Sequence, residues 1–432
     1  SLSILKHYGS SEIFLEVVAD FRGRLYPDAD IIAYQGEDWV RSLWHFAEGR
    51  AITTKEQGNW LYVHAANCYG LSRDPYESRI RFVSDRMEVW RTVVADTFQN
   101  IEVLEEASDP FRFLGAIREL CAYEAHGLGY ISHIPVQIDA SSQAIQIWAG
   151  IVGNEELLRS SNVLQVVTSE GEVCHDIYRS MAHSIHDDAM TDESPDAAHW
   201  RKYGIDRGVV KKAMMIIPYG GTYNAITRII DAECFEVPFR ARVWLCKRLW
   251  NDCRDTLHDL VKMQQRLSRA VSEQLRETTK ETYEWESPCG VLVKQRYMKT
   301  KRRRIRNVQG QTLYSYKIET DKVDRRRHAT AFPANFLHSL DASLLCYCIS
   351  LMEEQGLRNI MPIHDCVGVP AADVGAVKSL LCLSYLWVIR EGQRSAKELC
   401  NILKVGGDPA GPWYHGAIGP TLEPDGLSSY LF

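Results

Sequence analysis

The sequence predicts an α+β fold in which small antiparallel strand pairs sit among amphipathic helices, and three stretches carry that expectation. Residues 134–139, Ile-Pro-Val-Gln-Ile-Asp, read as a short buried strand ending on an acid, with Ala140-Ser141-Ser142 as the turn into a helix. Residues 359–363 and 366–370 are apolar strands flanking His364-Asp365, a tight hairpin with an acid at its bend. Across residues 236–281 the apolar positions 245, 249, 253, 257, 260, 267, 271 and 275 recur at helical spacing beneath a charged opposite face.

Composition sets the frame for these elements. The chain has 432 residues, 45% hydrophobic and 25% charged, enough for one large or two to three smaller folding units. No repeat or low-complexity stretch separates them, so interleaved subdomains are expected. No unbroken apolar run approaches the roughly 20 residues of a membrane span, and Ser1 to Lys6 run straight into His7 without the apolar region of a signal peptide. The expectation is a soluble intracellular protein with no membrane partner. The twelve cysteines lie singly apart from Cys346-Tyr347-Cys348, and none has the spacing of a zinc knuckle, which points to reduced thiols.

A net charge of −6 excludes a generally basic nucleic-acid binder, so any such interaction must be local. Residues 290–330 supply it, holding 13 Lys or Arg against 3 acids. Val291-Leu292-Val293 leads in and Thr312 to Tyr316 leads out around the turn-forming Asn307-Val308-Gln309-Gly310. This predicts one long hairpin over residues 290–318 with Lys299, Lys301, Arg302, Arg303, Arg304 and Arg306 near its tip. A basic two-stranded ribbon fits a DNA major groove.

Two carboxylates on separate strand ends, Asp139 and Asp365, suit a pair of divalent cations about 3.5–4 Å apart, the arrangement used in phosphoryl transfer. Between them lies Asp206-Arg207-Gly208-Val209-Val210-Lys211, continuing to Ile217-Pro218-Tyr219-Gly220. Asp206 is a candidate helix cap. At about 100° per residue, Arg207 and Lys211 fall roughly 40° apart and Tyr219 roughly 80° beyond, so one helix face is expected to present all three. Two cations one turn apart can clamp a triphosphate, and an aromatic at the helix end can stack on a base.

This order of acid-ended strand, Arg-x3-Lys-x7-Tyr-Gly and His-Asp hairpin resembles the single-subunit RNA polymerases of T-odd phages and mitochondria. Further matching segments are Asp20-Phe21-Arg22-Gly23-Arg24-Leu25-Tyr26, the stretch around Asn67-Cys68, Ala125-His126-Gly127-Leu128, Asp176-Ile177-Tyr178, and Pro333-Ala334-Asn335-Phe336-Leu337-His338-Ser339-Leu340-Asp341. The resemblance spans nearly the whole chain.

It implies a right-hand polymerase fold. Residues 1–170 would form the first part of a palm, residues 171–338 mostly helical fingers that include the basic hairpin, and residues 339–432 the rest of the palm with an aromatic C-terminal foot at Tyr430-Leu431-Phe432. Asp139 and Asp365, with the Ala140 carbonyl, would hold two Mg2+ ions. Arg207, Lys211 and Tyr178 would bind the NTP. Tyr219 and His338 would select the ribose 2′-hydroxyl, which both donates and accepts hydrogen bonds. Arg22, Arg24 and His364 would face the DNA template and RNA product, and the hairpin would act as a specificity loop on promoter DNA.

The chain also departs from the family pattern. Ala144 and Ile147 stand where glycine and histidine are usual, and Pro218 is expected to kink the helix before Tyr219. Only 19 residues precede Asp20. The thumb and N-terminal domain of the family are therefore expected on a second chain, as in split phage polymerases, with truncation as the alternative. A promoter-recruiting factor would be a further partner. The expected location is the cytoplasm of an infected bacterium, with the mitochondrial matrix as the alternative. Two other functional readings stand beside this one. A related repair-class DNA polymerase would have Glu where Cys366 stands, and a non-catalytic DNA-binding subunit could keep the fold alone.

Overall fold

In the computed structural model, residues 6–402 are described apart from 10, 30, 170, 278 and 279, together with 422 and 424–432. Near the N-terminus β1 (Val17–Ala19) pairs antiparallel with β2 (Leu25–Pro27). Their connection carries Arg22 and Arg24 around Gly23, whose φ of 92° is open to glycine at little steric cost. Helix α1 (Lys55–Tyr69) starts at a reciprocal Thr54–Gln57 capping box, and α2 (Tyr76–Ser84) and α3 (Pro110–His126) pack beside it.

Strand β3 (Val136–Asp139) turns at once into α4 (Gln143–Val152), of which all residues but Ala144 are buried. Asp176 caps α5 (Ile177–Thr191) by accepting from the amides of Tyr178 and Arg179. Asp206 caps α6 (Arg207–Met214) by accepting from Val209, as expected. The long amphipathic stretch is two helices, α7 (Phe239–Thr256) and α8 (His258–Glu277), broken at Leu257. All eight apolar positions read from the sequence are buried, so the periodicity survives the break.

The basic region differs from the single hairpin expected. Strand β4 (Thr282–Glu286) pairs with β5 (Leu292–Arg296), and β6 (Met298–Arg306) pairs with β7 (Thr312–Val323), giving two hairpins in tandem. Leu292 and Val293 therefore pair backwards with Glu286 and Trp285, and not with Thr312 to Tyr316. Lys299 to Arg306 run the length of a strand, and only Arg306 adjoins the tip. The turn itself is as read, with Gly310 donating to the Asn307 carbonyl at 2.9 Å.

Helix α9 (Arg325–Glu354) carries His338 and Asp341. It leads to the hairpin β8 (Met361–Ile363) and β9 (Cys366–Val369), and the central strand β9 pairs on its other side with β3. Helix α10 (Val374–Ile402) then packs on α9 and α4. By length and composition Ala371–Leu399 could cross a membrane, but half of its most apolar window is buried within the protein, as in a core helix. Lys378 and Arg390 interrupt it, which is why no unbroken apolar run was visible. One continuous core, including Trp90, Trp148, Phe332, Phe336 and Tyr385, joins the helices to the three-stranded sheet. Among the described residues the cysteines are unpaired.

Candidate functional site

The sheet brings the two acids together. Asp139 is the last residue of β3 and lies opposite Cys366, while the Ala140 amide donates to the Asp365 carbonyl at 3.2 Å. His364 makes the bend with a φ of 57°, unusual for a non-glycine residue, and lies edge-on to Tyr26 with ring centroids 4.7 Å apart. Its Nδ1 is buried without a hydrogen-bond partner. The β9 residues beyond Asp365 are buried, whereas Asp139 and Asp365 both keep solvent access. Enclosure by the cleft, then the adjacent Asp365 carboxylate, push Asp139 above the usual carboxylate range, against the pull of Arg73, Lys211 and Arg41.

Lys211 feels the same field from the other side. Burial, then Arg73 and Arg207, lower its pKa, and Asp139 and Asp176 oppose the change. Arg207 donates through Nε to Asp176 at 2.5 Å and lies over the Tyr178 ring at 5.6 Å. Its Nη2 is buried with no partner, a donor left for a ligand oxygen. Tyr178 is itself buried, which pushes its hydroxyl up to about 12. Four of the expected groups, Asp139, Lys211, Arg207 and Tyr178, thus belong to one electrostatic cluster.

Tyr219 joins them by a different route from the one expected. Helix α6 ends at Met214, and Tyr219 sits in a separate 3-10 turn, Ile217–Tyr219. Pro218 has no amide to donate to the Met214 carbonyl and its ring crowds that oxygen, so the end of the helix at Met214 is the interruption before Tyr219 expected of the proline. The Pro218 carbonyl accepts from Trp148 Nε1 at 2.9 Å and Gln264 Nε2 at 2.5 Å, which anchors the turn.

Tyr219 faces His338, with ring centroids 5.0 Å apart and planes at 33°. Arg22 Nη1 lies 2.7 Å from His338 Nδ1. A guanidinium can only donate, so Nδ1 is the acceptor and the imidazole proton sits on Nε2. Burial, then Arg24 and Arg22, push the His338 pKa down to about 3, which keeps the ring neutral.

Arg22 and Arg24, expected to face nucleic acid, are both engaged within the protein. Arg22 pairs with Asp20 at 2.5 Å. Arg24 donates through Nε to Asp341 at 2.7 Å and also through Nη2, while Gln143 donates to the other oxygen of the same carboxylate. Burial pushes Asp341 up to about 6 despite Arg24. Gln143 begins the helix that follows Asp139, so this link ties the site to α9. Ile147, where the resemblance calls for histidine, is fully buried in the core.

Sequence reasoning missed a group of residues beside Asp139. A cavity of about 60 Å³ is lined by Asp139, Arg73, Arg79, Lys378, Cys174 and Phe432, among others. Arg79 donates to the Asp74 and Ser72 carbonyls at 2.6 and 2.8 Å and to the Asn67 side chain at 3.0 Å. It thereby clasps the loop that carries Arg73. Asn67 belonged to a quoted segment, but nothing there indicated the loop it supports. Tyr430, Leu431 and Phe432 are buried, Tyr430 is stacked on Tyr76 at 4.9 Å, and Tyr430 and Phe432 line the same cavity as Asp139.

By contrast, Lys299, Lys301, Arg302, Arg303, Arg304 and Arg306 are all exposed on β6. None makes an ion pair among the described residues. Opposite them Tyr314 and Tyr316 stack at 6.0 Å.

The residues fit divalent cations. Enclosure and the neighbouring Asp365 carboxylate raise Asp139 in a cleft that also holds Lys211 and Arg73, and no cluster of three or more acid, His or Cys donors exists among the described residues. That donor set suits Mg2+, which keeps waters and takes substrate oxygens, better than a closed structural metal site.

A strand-end acid and the acid of the adjoining hairpin bend thus share one field with Lys211 and Arg207. The sequence model of the DNA-dependent RNA polymerase family matches residues 52–388, and the chain belongs to that family. It is 27% identical to T7 RNA polymerase of Escherichia phage T7 across 89% of this chain and 48% of the phage protein. It is 26% identical to the mitochondrial DNA-directed RNA polymerase of Schizosaccharomyces pombe across 88% of this chain and 34% of that protein. A mouse mitochondrial DNA-directed RNA polymerase is 27% identical across 86% of this chain and 31% of its own length. The chain thus spans between about a third and a half of these relatives.

Proposed function

We propose that this chain is the catalytic part of a DNA-directed RNA polymerase, transferring a ribonucleoside monophosphate from an NTP to an RNA 3′-hydroxyl with release of pyrophosphate. The observation that carries this reading is the Ala140–Asp365 hydrogen bond, which fixes Asp139 and Asp365 side by side within the field of Lys211 and Arg73. Asp139 and Asp365, with the Ala140 carbonyl, would hold two Mg2+ ions, whose role when bound is to acidify the attacking hydroxyl and neutralise the leaving pyrophosphate.

The chain's own residues do the rest. Arg207 offers its free Nη2 and Lys211 its ammonium to the triphosphate, with Arg73 as a third cation. The Asp176 ion pair and the Tyr178 ring hold Arg207 in place, so little reorganisation is needed when the substrate arrives. His338 presents Nε2–H and Tyr219 its hydroxyl to the ribose. Arg22 and Arg24 serve as positioning residues, acting through His338 and Asp341.

In this reading residues 1–170 and 339–432 form the palm and its foot, and residues 171–338 the fingers. The β6–β7 hairpin supplies unpaired cations to promoter DNA. A recruiting factor directs initiation. The setting is the cytoplasm of an infected bacterium, with the mitochondrial matrix as the alternative.

The test is extension of an RNA primer annealed to a DNA template, using the native protein with whatever copurifies. Extension with Mg2+ and ribonucleotides, and much weaker extension with deoxyribonucleotides, is expected. Efficient use of deoxyribonucleotides would favour the repair-class DNA polymerase reading. No extension with either would favour a non-catalytic subunit.

A further inference from the structure

Outside the polymerase site, one cluster of nucleophilic side chains has no part in the mechanism above. Cys289 lies in the β4–β5 turn, where Ser287 donates to the Val291 carbonyl at 2.9 Å and Gly290 to the Ser287 carbonyl at 2.9 Å. Its sulfur is 3.3 Å from Ser287 Oγ and 3.3 Å from Ser343 Oγ on α9. Ser287 and Ser343 are buried, while Cys289 itself is half-buried and reachable. Cys346, three residues after Ser343 on the same helix, is also half-buried, and its thiol donates to Cys289. Ser343 donates only one proton, and its alternative acceptor is the Ser339 carbonyl at 2.7 Å.

We propose that Cys289 is a thiol-exchange site that accepts a low-molecular-weight disulfide and hands the oxidation on to Cys346, closing a disulfide between the β4–β5 turn and α9. The Cys289 thiolate attacks one sulfur of R–S–S–R, forming a Cys289–S–S–R mixed disulfide and releasing RS⁻. Cys346 then gives up its proton and attacks the Cys289 sulfur, expelling the second RS⁻. Two protein thiols and one external disulfide thus become one protein disulfide and two RSH, with atoms and electrons balanced.

The local chemistry favours this order. The Cys346 hydrogen bond, followed by those from Ser287 and Ser343, brings the Cys289 thiol down to about 5 against its burial. The same hydrogen bond holds Cys346 protonated. Capping Cys289 removes the negative charge that disfavours a second thiolate and so releases Cys346 for its turn. Other cysteines move the opposite way, with burial pushing Cys68, Cys253 and Cys348 up to about 12. The closed bond would tether the β4–β5 turn to the helix bearing His338 and Asp341. Trp285 Nε1 already donates to Ser339 Oγ there at 3.2 Å.

The test treats the native protein with glutathione disulfide, blocks remaining thiols with iodoacetamide and maps the peptides by mass. A dithiothreitol-reversible Cys289–Cys346 cross-link should dominate. Cys346→Ala should instead accumulate a glutathione adduct on Cys289, and Cys289→Ser should give neither product. Ser343→Ala, which keeps both cysteines, should slow the reaction of Cys289. Glutathione spread over other cysteines without preference for Cys289 would overturn the proposal, as would a Cys289 adduct in the wild type that never resolves onto Cys346. Thermal unfolding of each variant separates these outcomes from misfolding.

Discussion

The Ala140 amide donates to the Asp365 carbonyl at 3.2 Å, so the turn after β3 is fastened to the bend of the β8–β9 hairpin. This bond holds two like charges near each other, and without divalent cations that arrangement is unfavourable. Asp139 is raised by enclosure and by Asp365, so its carboxyl destabilises the fold progressively as pH rises above the unfolded value of 3.8. Asp139→Asn should therefore unfold at a higher temperature than wild type at pH 8 in chelator, with the gap closing toward pH 4. Mg2+ should raise the unfolding temperature of wild type more than that of the variant. Calorimetry with and without the metal checks both statements.

His338 should discriminate sugars through Nε2–H. His338→Ala is expected to narrow the preference for ribonucleotides over deoxyribonucleotides by about 1–2 kcal/mol, the range of one hydrogen bond to a buried partner. His338→Gln, which can still donate, should retain more of it. The ring also titrates. A pKa pushed down to about 3 means the unfolded state binds the proton first, so its contribution is fully present above pH 6.5 and is lost as pH falls toward 3. The stability difference between wild type and His338→Gln should shift against wild type between pH 7 and pH 4, measured by thermal unfolding.

Asp341 is buried between Arg24 and Gln143, and removing its cation leaves a carboxylate unpaired. Arg24→Ala should cost about 3–5 kcal/mol at pH 8. The loss should be smaller at pH 5, because burial already raises Asp341 to about 6 and without Arg24 it protonates still more readily. Equal losses at both pH values, in urea titrations, would show that the pair is not the source.

Among the described residues the exposed cations of β6 form no ion pair, and their expected partner is phosphate. Each of Arg302→Ala and Arg304→Ala should reduce the slope of log affinity against log salt for promoter DNA by about 0.9. A variant that changes sequence preference while keeping the slope would instead indicate contact with a base edge.

The strands were legible as short apolar runs, but a strand-end Asp more often caps a turn or helix, so the two acids were legible only through their order around Arg207, Lys211 and Tyr219; the buried face of residues 245–275 was legible from its spacing. Tyr219 was not, since helical geometry was extrapolated past Met214, and the anchoring of Pro218 comes from Trp148 and Gln264, distant in sequence. The basic segment was misread for a related reason. Alternation identifies strands but not their partners, and Leu292 to Arg296 pair with residues whose own alternation was overlooked. Arg73 carries no local signature, and its place depends on Arg79 and Asn67 folding the loop toward Asp139. The Arg24–Asp341 link joins residues 317 apart, beyond the reach of any local pattern.

The most direct test of the two-aspartate centre is single-turnover nucleotide addition by Asp365→Asn beside wild type, with NTP binding measured on the same samples. The account predicts that addition falls by about a thousandfold or more, as when transition-state charge loses its support, while folding is intact and the NTP still binds through Arg207 and Lys211. Addition at the wild-type rate by a folded Asp365→Asn protein would contradict it.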